Sequence, residues 1–361
     1  MDIQEYKCPN CGREIKFDTS SQNLKCPFCD TEFEIEALIE FQKEMSMPET
    51  DQIDLKTGKA AAWDESDLGD LSTGCCPSCG AELIGDNNTI ATVCPCCGNT
   101  QIISQRVKGL LKPEYVIPFQ LEKQTAVDAL KKFYHKKRLL PNHFKEENQI
   151  NNIQGLYVPF WLFDLRARGH ITYKATKVRF WSDSSYNYTQ TSFFSVIRDG
   201  NMDFEKIPVD GSEKMDDNYM DAIEPFDYTK LKNFHSAYLS GYLAEKYDVD
   251  ANACKDRAVK RIKNSMESEF KRSVTGYTTV IKEHSTVSVT DGNASYSLIP
   301  VWVINTKYKN KIYQFIMNGQ SGLIVGKLPV DKGKFMKYLL IFMGSFGLAF
   351  TLIIQLLRLF S

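Results

Sequence analysis

CPNC at residues 8–11 and CPFC at 26–29 are separated by fourteen residues, and CPSC at 76–79 and CPCC at 94–97 repeat that interval. A Cys-x-x-Cys pair bends the chain so that two thiolates point at one ion, and a second pair closes a tetrahedral four-thiolate shell. Cys8, Cys11, Cys26 and Cys29 therefore read as one structural Zn2+ site, and Cys76, Cys79, Cys94 and Cys97 as a second. Neither quartet leaves a coordination position for water or substrate. The metal is expected to supply folding energy to modules too short for a core of their own. Spacing alone leaves zinc against iron open.

From these quartets the organisation follows outward. Residues 1–40 read as zinc ribbon 1, with strand-like pieces at Glu14–Phe17 and Glu32–Ile35. Residues 41–72 read as a short helix, begun by Ala37, Leu38, Phe41 and Met45 at helical spacing, and an acidic linker; residues 73–105 read as zinc ribbon 2. Trp63 in the linker is either a docking anchor or a partly buried tether point. Cys75, Cys96 and Cys254 remain outside the quartets. The first two adjoin ligands and could replace them in another register, and Cys254 reads as a small residue on a helix. With eight of the eleven cysteines in metal spacing and no apolar run in MDIQEYKCPNC, a reducing cytoplasm is expected rather than secretion.

The net charge of -1 hides a polarity along the chain. Residues 1–105 carry 7 Lys and Arg against 19 Asp and Glu, a balance of -12; the remainder carries 37 against 26, a balance of +11. Phosphate binding needs clustered cations to displace counterions. The ribbons lack them, so nucleic acid is an unlikely partner for that end.

Beyond residue 105 the pattern becomes that of an α+β domain. Glu122–Leu140 reads as an amphipathic helix with Ala126, Leu130 and Phe133 on one face, stopped by Pro141. Strand-like runs follow around Pro159 and Trp161, then a polar, tyrosine-rich insertion over 176–191, then a hairpin expected to turn at Asp199-Gly200. The order then recurs: a helix over Ala251–Arg272, strands meeting at Asp291-Gly292, Pro300 and Trp302 echoing Pro159 and Trp161, and a hairpin turning at Asn318-Gly319. Lys327–Asp331 (KLPVD) likewise echoes Lys206–Asp210 (KIPVD). These ordered matches point to internal duplication, residues 106–215 as half 1 and 216–331 as half 2, each a helix on mostly antiparallel sheet. Trp161 and Trp302 read as equivalent core positions. Trp181, Tyr186 and Tyr188 in the insertion read as a partner-contact loop or as a free polar loop.

Residues 332–361 read as a C-terminal membrane anchor. Tyr338–Leu357 contains twenty residues without a charge, and at about 1.5 Å per residue a helix of that length crosses the hydrocarbon layer. Lys327, Lys332, Lys334 and Lys337 before it against Arg358 after it place the bulk of the chain in the cytoplasm, as a single-pass protein of the cell membrane. The whole reads as two small N-terminal four-cysteine zinc ribbons, an internally duplicated α+β domain and one transmembrane helix.

No sequence-local catalytic motif accompanies this architecture. The five histidines form no H-E-x-x-H pair, and neither a phosphate-binding G-x-x-x-x-G-K-[ST] loop nor G-x-S-x-G is present. A site assembled from distant loops around Asp164, His170 and Glu245 would be the enzymatic reading.

The quartets, the YVPFWLFD stretch at Tyr157 and the run from IPVWVINTKY to NGQSGLIVGKLP resemble a family of bacterial TFIIB-type zinc-ribbon membrane proteins of YdjG type, often mislabelled primosomal helicase-like. The resemblance implies a scaffold of phage-shock-type envelope stress systems, working with other membrane proteins and a peripheral coat-like protein. The expectation is a non-enzymatic, cytoplasm-facing membrane adaptor. The alternatives are a membrane-tethered nucleic-acid-binding protein and an enzyme with an unrecognised site in the duplicated domain.

Overall fold

The computed structural model of the protein describes residues 8, 13–36, 38–39, 53, 55–57, 63, 71–86, 93–99, 103–105, 111–146 and 152–359. In chain order its strands and helices begin with β1 (Lys16–Asp18), β2 (Asn23–Lys25), β3 (Glu32–Phe33), β4 (Leu55–Thr57), β5 (Leu71–Cys75), β6 (Glu82–Asp86), β7 (Ile103–Gln105) and β8 (Tyr115–Val116). They continue with α1 (Lys123–Lys136), β9 (Gln154–Ser182), β10 (Asn187–Asp210), α2 (Asp217–Ala222), β11 (Lys232–Asn233) and β12 (Leu243–Glu245). The last are α3 (Ala251–Ser273), β13 (Thr279–Tyr308), β14 (Lys311–Asn318), β15 (Ile324–Gly326) and α4 (Lys332–Leu359). The class is α+β with mostly antiparallel sheet.

The chain forms two compact units, one of Met1–Lys56, Asp164–Ile207 and Asp256–Asn293, the other of Thr57–Phe163, Pro208–Lys255 and Ala294–Ser361. The boundaries fall within β4, β9, β10, α3 and β13. Strands of 29, 24 and 30 residues are long enough to serve two cores.

In the first unit β1, β2 and β3 make a small antiparallel sheet, with Leu24 opposite both Phe17 and Phe33. The backbone is helical at 35–36 and 38–39; Phe41 and Met45 lie outside the described residues. The expected hairpin turn at Asp199-Gly200 is absent, because β10 runs straight through it, as β13 runs through Asp291-Gly292. Asp-Gly is a local turn signal, but contacts from afar decide here. Gly292 is pressed against the carbonyl of Asp164, where any Cβ would collide, and the Asp199 carboxylate meets His170 Nδ1 at 3.3 Å. The chain reverses instead at Asp183–Tyr186, where Asp183 N–H donates to the Tyr186 carbonyl. The polar insertion is therefore the extended end of a β-hairpin, not a loop. Gly169 lets α3 approach the sheet: a Cβ there would lie 2.8 Å from Met266 Sδ.

In the second unit the strands run in the order β11-β8-β13-β9-β12-β6-β5-β7, with β14 beside β13 and β15 beside β14. α1 buries Ala126, Val127, Leu130 and Tyr134, so Tyr134 and not the expected Phe133, which is half-buried, completes the face; the helix ends at Lys136 as Lys137 turns extended, short of the expected Leu140. Trp161 and Trp302 are buried, at 4 % and 3 % exposure. Their surroundings match bond for bond. Trp161 Nε1 donates to the Val249 carbonyl just before α3, and Trp302 Nε1 to the Leu121 carbonyl just before α1. Gly211 N–H donates to Pro159 O and Gly319 N–H to Pro300 O, each at 2.9 Å. The Gly211 carbonyl accepts from Asp248 and Val249, and the Gly319 carbonyl from Gln120 and Leu121. The two parallel pairings also correspond, Leu243 beside Leu156 and Tyr115 beside Ser297. On this register Gly211 answers Gly319, so Lys206–Asp210 answers the end of β14. The similar Lys327–Asp331 lies between β15 and α4, and the KIPVD–KLPVD match is not a structural one.

Candidate metal centres

Each cysteine knuckle is shaped by backbone hydrogen bonds before any side chain is considered. Cys76 N–H donates to Ala81 O at 3.0 Å and Gly80 N–H to Cys76 O at 2.8 Å; Cys94 N–H to Asn99 O at 2.7 Å and Gly98 N–H to Cys94 O at 2.8 Å repeat the turn. Closing it needs a left-handed residue after the second cysteine, supplied by Gly80 (φ +74°) and Gly98 (φ +76°), and in ribbon 1 by Asp30 (φ 60°). A Cβ on Gly80 would touch nothing within 4 Å, so Gly80→Ala isolates backbone strain. We expect a loss of about 1–2 kcal/mol, read as roughly tenfold easier removal of metal from ribbon 2 by a chelator.

The ligand atoms of Cys76, Cys79, Cys94 and Cys97 all lie within 4.8 Å of one another. Cys76 Sγ and Cys97 Sγ are 3.6 Å apart, Cys79 Sγ and Cys94 Sγ 3.8 Å. A metal–thiolate bond of about 2.3 Å gives a tetrahedron whose edge is about 3.8 Å, so the quartet fits one ion. Of the ribbon 1 quartet, Cys8, Cys26 and Cys29 converge in the same way, with Cys8 and Cys29 Sγ 3.5 Å apart. Cys11 lies outside the described residues. Two clusters could thus hold a metal ion. The Thr31 hydroxyl draws the Cys29 thiol down to about 6, and the Cys96 thiol beside Cys94 draws Cys94 down to about 5. Burial pushes Cys79 and Cys97 up. Neither Cys75 nor Cys96 belongs to a cluster, so the register with fourteen intervening residues is the one that converges.

Ribbon 2 is not an appendage. Cys76, Cys94, Ala81 and Leu83 belong to the same buried cluster as Leu156, Val158, Phe160, Ile299, Val301 and Ile316. β6 pairs with β12, Ala244 opposite Ile84. The knuckle carrying Cys94 is gripped by side chains far along the chain: Asn305 Nδ2 donates to Pro95 O at 2.7 Å, and Gln314 Nε2 to Cys96 O at 3.1 Å. Gln154 Nε2 donates to Val93 O at 2.9 Å. The sequence pattern offered no sign of this docking.

Glu245, raised above as one of three acid–base candidates, lies at this junction. It is 1 % exposed; its Oε1 accepts from Ser212 Oγ at 2.8 Å and faces Cys96 Sγ at 3.8 Å. Burial pushes its carboxyl up to about 8. Asp164 takes the Lys206 N–H and ammonium, and His170 takes Asp199, so each candidate is engaged by its own neighbour. Below the unfolded value of about 4.5 both states hold the Glu245 proton. Above it only the unfolded chain ionises freely, so stability drains away as pH rises toward 8. Glu245→Gln removes that drain and keeps an acceptor for Ser212. Relative to the parent it should gain about 2 kcal/mol between pH 6 and pH 8, read by denaturant unfolding of both proteins in the same micelles. A gain independent of pH would refute the buried-acid assignment.

Trp63 stands edge-on to Phe234 at 5.6 Å, the arrangement of a tether point. Cys254 is buried with Sγ 3.5 Å from the Asp210 carbonyl. Among the remaining features, α4 contains a span, Lys332–Gln355, of mean hydropathy 1.9 and none of it buried in the protein; by length and composition it could cross a membrane.

No family model matches the chain, and no solved structure matches it. Over 332 residues, 92% of each chain, it is 36% identical to the uncharacterized protein YdjG of Bacillus subtilis strain 168. An identity of that level over nearly all of both chains places the chain in the YdjG family.

Proposed function

We propose that the protein is a non-enzymatic membrane adaptor that carries two structural Zn2+ ions in TFIIB-type ribbons, faces the cytoplasm, and works within an envelope-stress complex of phage-shock type. The observation that carries the reading is α4, an apolar helix of membrane-spanning length with no part buried in the protein. An unburied apolar surface of that size is stable in hydrocarbon and a liability in water. Lys332, Lys334 and Lys337 at its N-terminal end and Arg358 beyond it favour a cytoplasmic bulk by the positive-inside rule. The four-thiolate cluster of ribbon 2 offers no open coordination position, which supports a folding role for its metal.

The docking of ribbon 2 leaves ribbon 1 as the partner-facing module. Phe28 is 62% exposed, with the Arg13 guanidinium 4.3 Å from its ring, and Phe17 is 48% exposed. Exposed aromatics on a small metal-braced sheet suit a protein partner. The α+β platform is best understood as an internal duplication in which each half fastens its tryptophan to the loop before the other half's helix. The matched bonds of Trp161 and Trp302 support that.

The test is affinity purification from mildly crosslinked membranes, comparing the parent chain with Cys26→Ser/Cys29→Ser. Loss of membrane-protein partners with the variant still in the membrane supports the adaptor. Recovery of nuclease-sensitive nucleic acid, with no partner depending on ribbon 1, would replace it with a nucleic-acid-binding reading.

A further inference from the structure

The outer ends of β9 and β10 project aromatic and cationic side chains that no packing explains. Phe180, Tyr186 and Phe193 are 73%, 69% and 58% exposed. Successive residues of a strand face opposite sides, so Lys177, Arg179 and Trp181 share one face and Phe180 lies on the other. Trp181 stacks on Tyr188, centroids 5.3 Å apart and rings within 10° of parallel, and the Arg179 guanidinium stands 5.8 Å from the indole. Lys177 Nζ lies 5.4 Å from the Phe194 ring and Lys174 Nζ 5.7 Å from that of Phe193. The single acid of the arm is engaged within its own turn: Asp183 accepts from Ser185 N, Tyr186 N and Tyr188 OH.

We propose that this arm is a peripheral lipid-binding element that lies in the headgroup layer of an anionic phospholipid membrane. Three cations against one internally satisfied carboxylate match an anionic surface, and amphipathic Trp and Tyr rings partition to the headgroup level while Lys and Arg reach its phosphates. Single-stranded nucleic acid requires open ring faces on which bases stack. Here the Trp181 ring is already paired with Tyr188 and Arg179. The proposal rests on the reading that α4 holds the chain at a membrane, which makes lipid the partner at highest local concentration.

The test uses the full chain in lipid nanodiscs of phosphatidylcholine alone or with phosphatidylglycerol, both with brominated acyl chains that quench tryptophan on contact. The Trp181 emission is the difference between the parent and Trp181→Phe. Most of it should be lost in phosphatidylglycerol discs and retained in phosphatidylcholine discs, and Lys177→Ala/Arg179→Ala should restore it. Chain that co-elutes with the discs while its Trp181 emission is unchanged overturns the arm and leaves the anchor standing. Equal quenching in both discs overturns the anionic recognition. Chain that fails to enter discs yet floats with phosphatidylglycerol vesicles, Trp181 quenched, sinks the anchor and supports the arm. Quenching by a single-stranded oligonucleotide without lipid overturns it in favour of nucleic acid.

Discussion

Replacing Cys76 and Cys94 with serine should unfold the second unit as a whole, whereas Cys26→Ser/Cys29→Ser should leave that unit folded. The asymmetry follows from where the ligands sit. Cys76 and Cys94 are 0% exposed within an apolar cluster shared with β9, β13 and β14. Binding of a structural metal by such a quartet is worth on the order of 10–16 kcal/mol at neutral pH. A domain's whole stability is only about 5–15 kcal/mol. Loss of the metal would release the knuckle held by Asn305 and Gln314, and two buried hydroxyls without partners would cost about 1–3 kcal/mol each. Ribbon 1 has a three-stranded sheet of its own, so its loss is local. Metal content should fall by one ion per chain in either variant. The denaturant transition of the second unit should vanish only in the Cys76→Ser/Cys94→Ser protein, with residues 111–163, 208–255 and 294–330 becoming open to protease. A Cys76→Ser/Cys94→Ser protein that keeps a cooperative transition near the parent's midpoint would show ribbon 2 to be a passenger.

What the sequence disclosed and what it withheld divide along the range of the interactions. The cysteine spacing, the burial of Ala126 and Leu130 on α1, and the uncharged run of α4 are written within a few turns of chain, and among the described residues they stand where they were expected. α3 was read as Ala251–Arg272 and runs Ala251–Ser273, since Asp250 caps it by accepting from Ala253 N–H and Val274 leaves it. Two Asp-Gly pairs were misread as turns because the local signal is the same whether or not a distant carbonyl presses on the glycine. The contact that makes Gly292 a close-approach residue joins positions more than a hundred residues apart. The docking of ribbon 2 was invisible for the same reason, as the Asn305 amide reaches Pro95 across 210 residues. Glu245 has an ordinary-looking neighbourhood in sequence, and only tertiary packing against Ser212 and Cys96 makes it a buried acid. The match of KIPVD to KLPVD misled in the opposite sense, similar letters in unlike places, while Gly211 and Gly319, which make the same backbone bonds to a proline carbonyl and to the residues before a helix, stand in sequences with little else in common.

Truncation after Val330 should move the protein from alkaline-carbonate-resistant membranes to the soluble fraction with its α+β units folded. The span Lys332–Gln355 is 24 residues long, about 36 Å of helix at 1.5 Å per residue, enough for a hydrocarbon layer of about 30 Å. Each Leu, Ile, Phe or Val near the middle of such a helix favours insertion by about 0.3–0.6 kcal/mol. The run from Tyr338 to Leu357 contains enough of them to hold the chain by several kcal/mol. None of the span is buried in the protein, so deleting it removes no core, and the unfolding midpoint should shift by no more than a few degrees. The helix is nonetheless seated rather than hung. Asp331 N–H donates to Leu139 O at 2.9 Å, its Oδ1 caps Gly333 and Lys334, and Lys334 Nζ donates to Leu140 O at 2.6 Å and Asn142 Oδ1 at 2.7 Å. Lys334→Ala in the full chain should therefore keep it in the membrane while raising amide exchange in the first turn of α4 and at residues 140–142. Chain truncated after Val330 that stays with carbonate-washed membranes would show that something other than α4 holds the protein there.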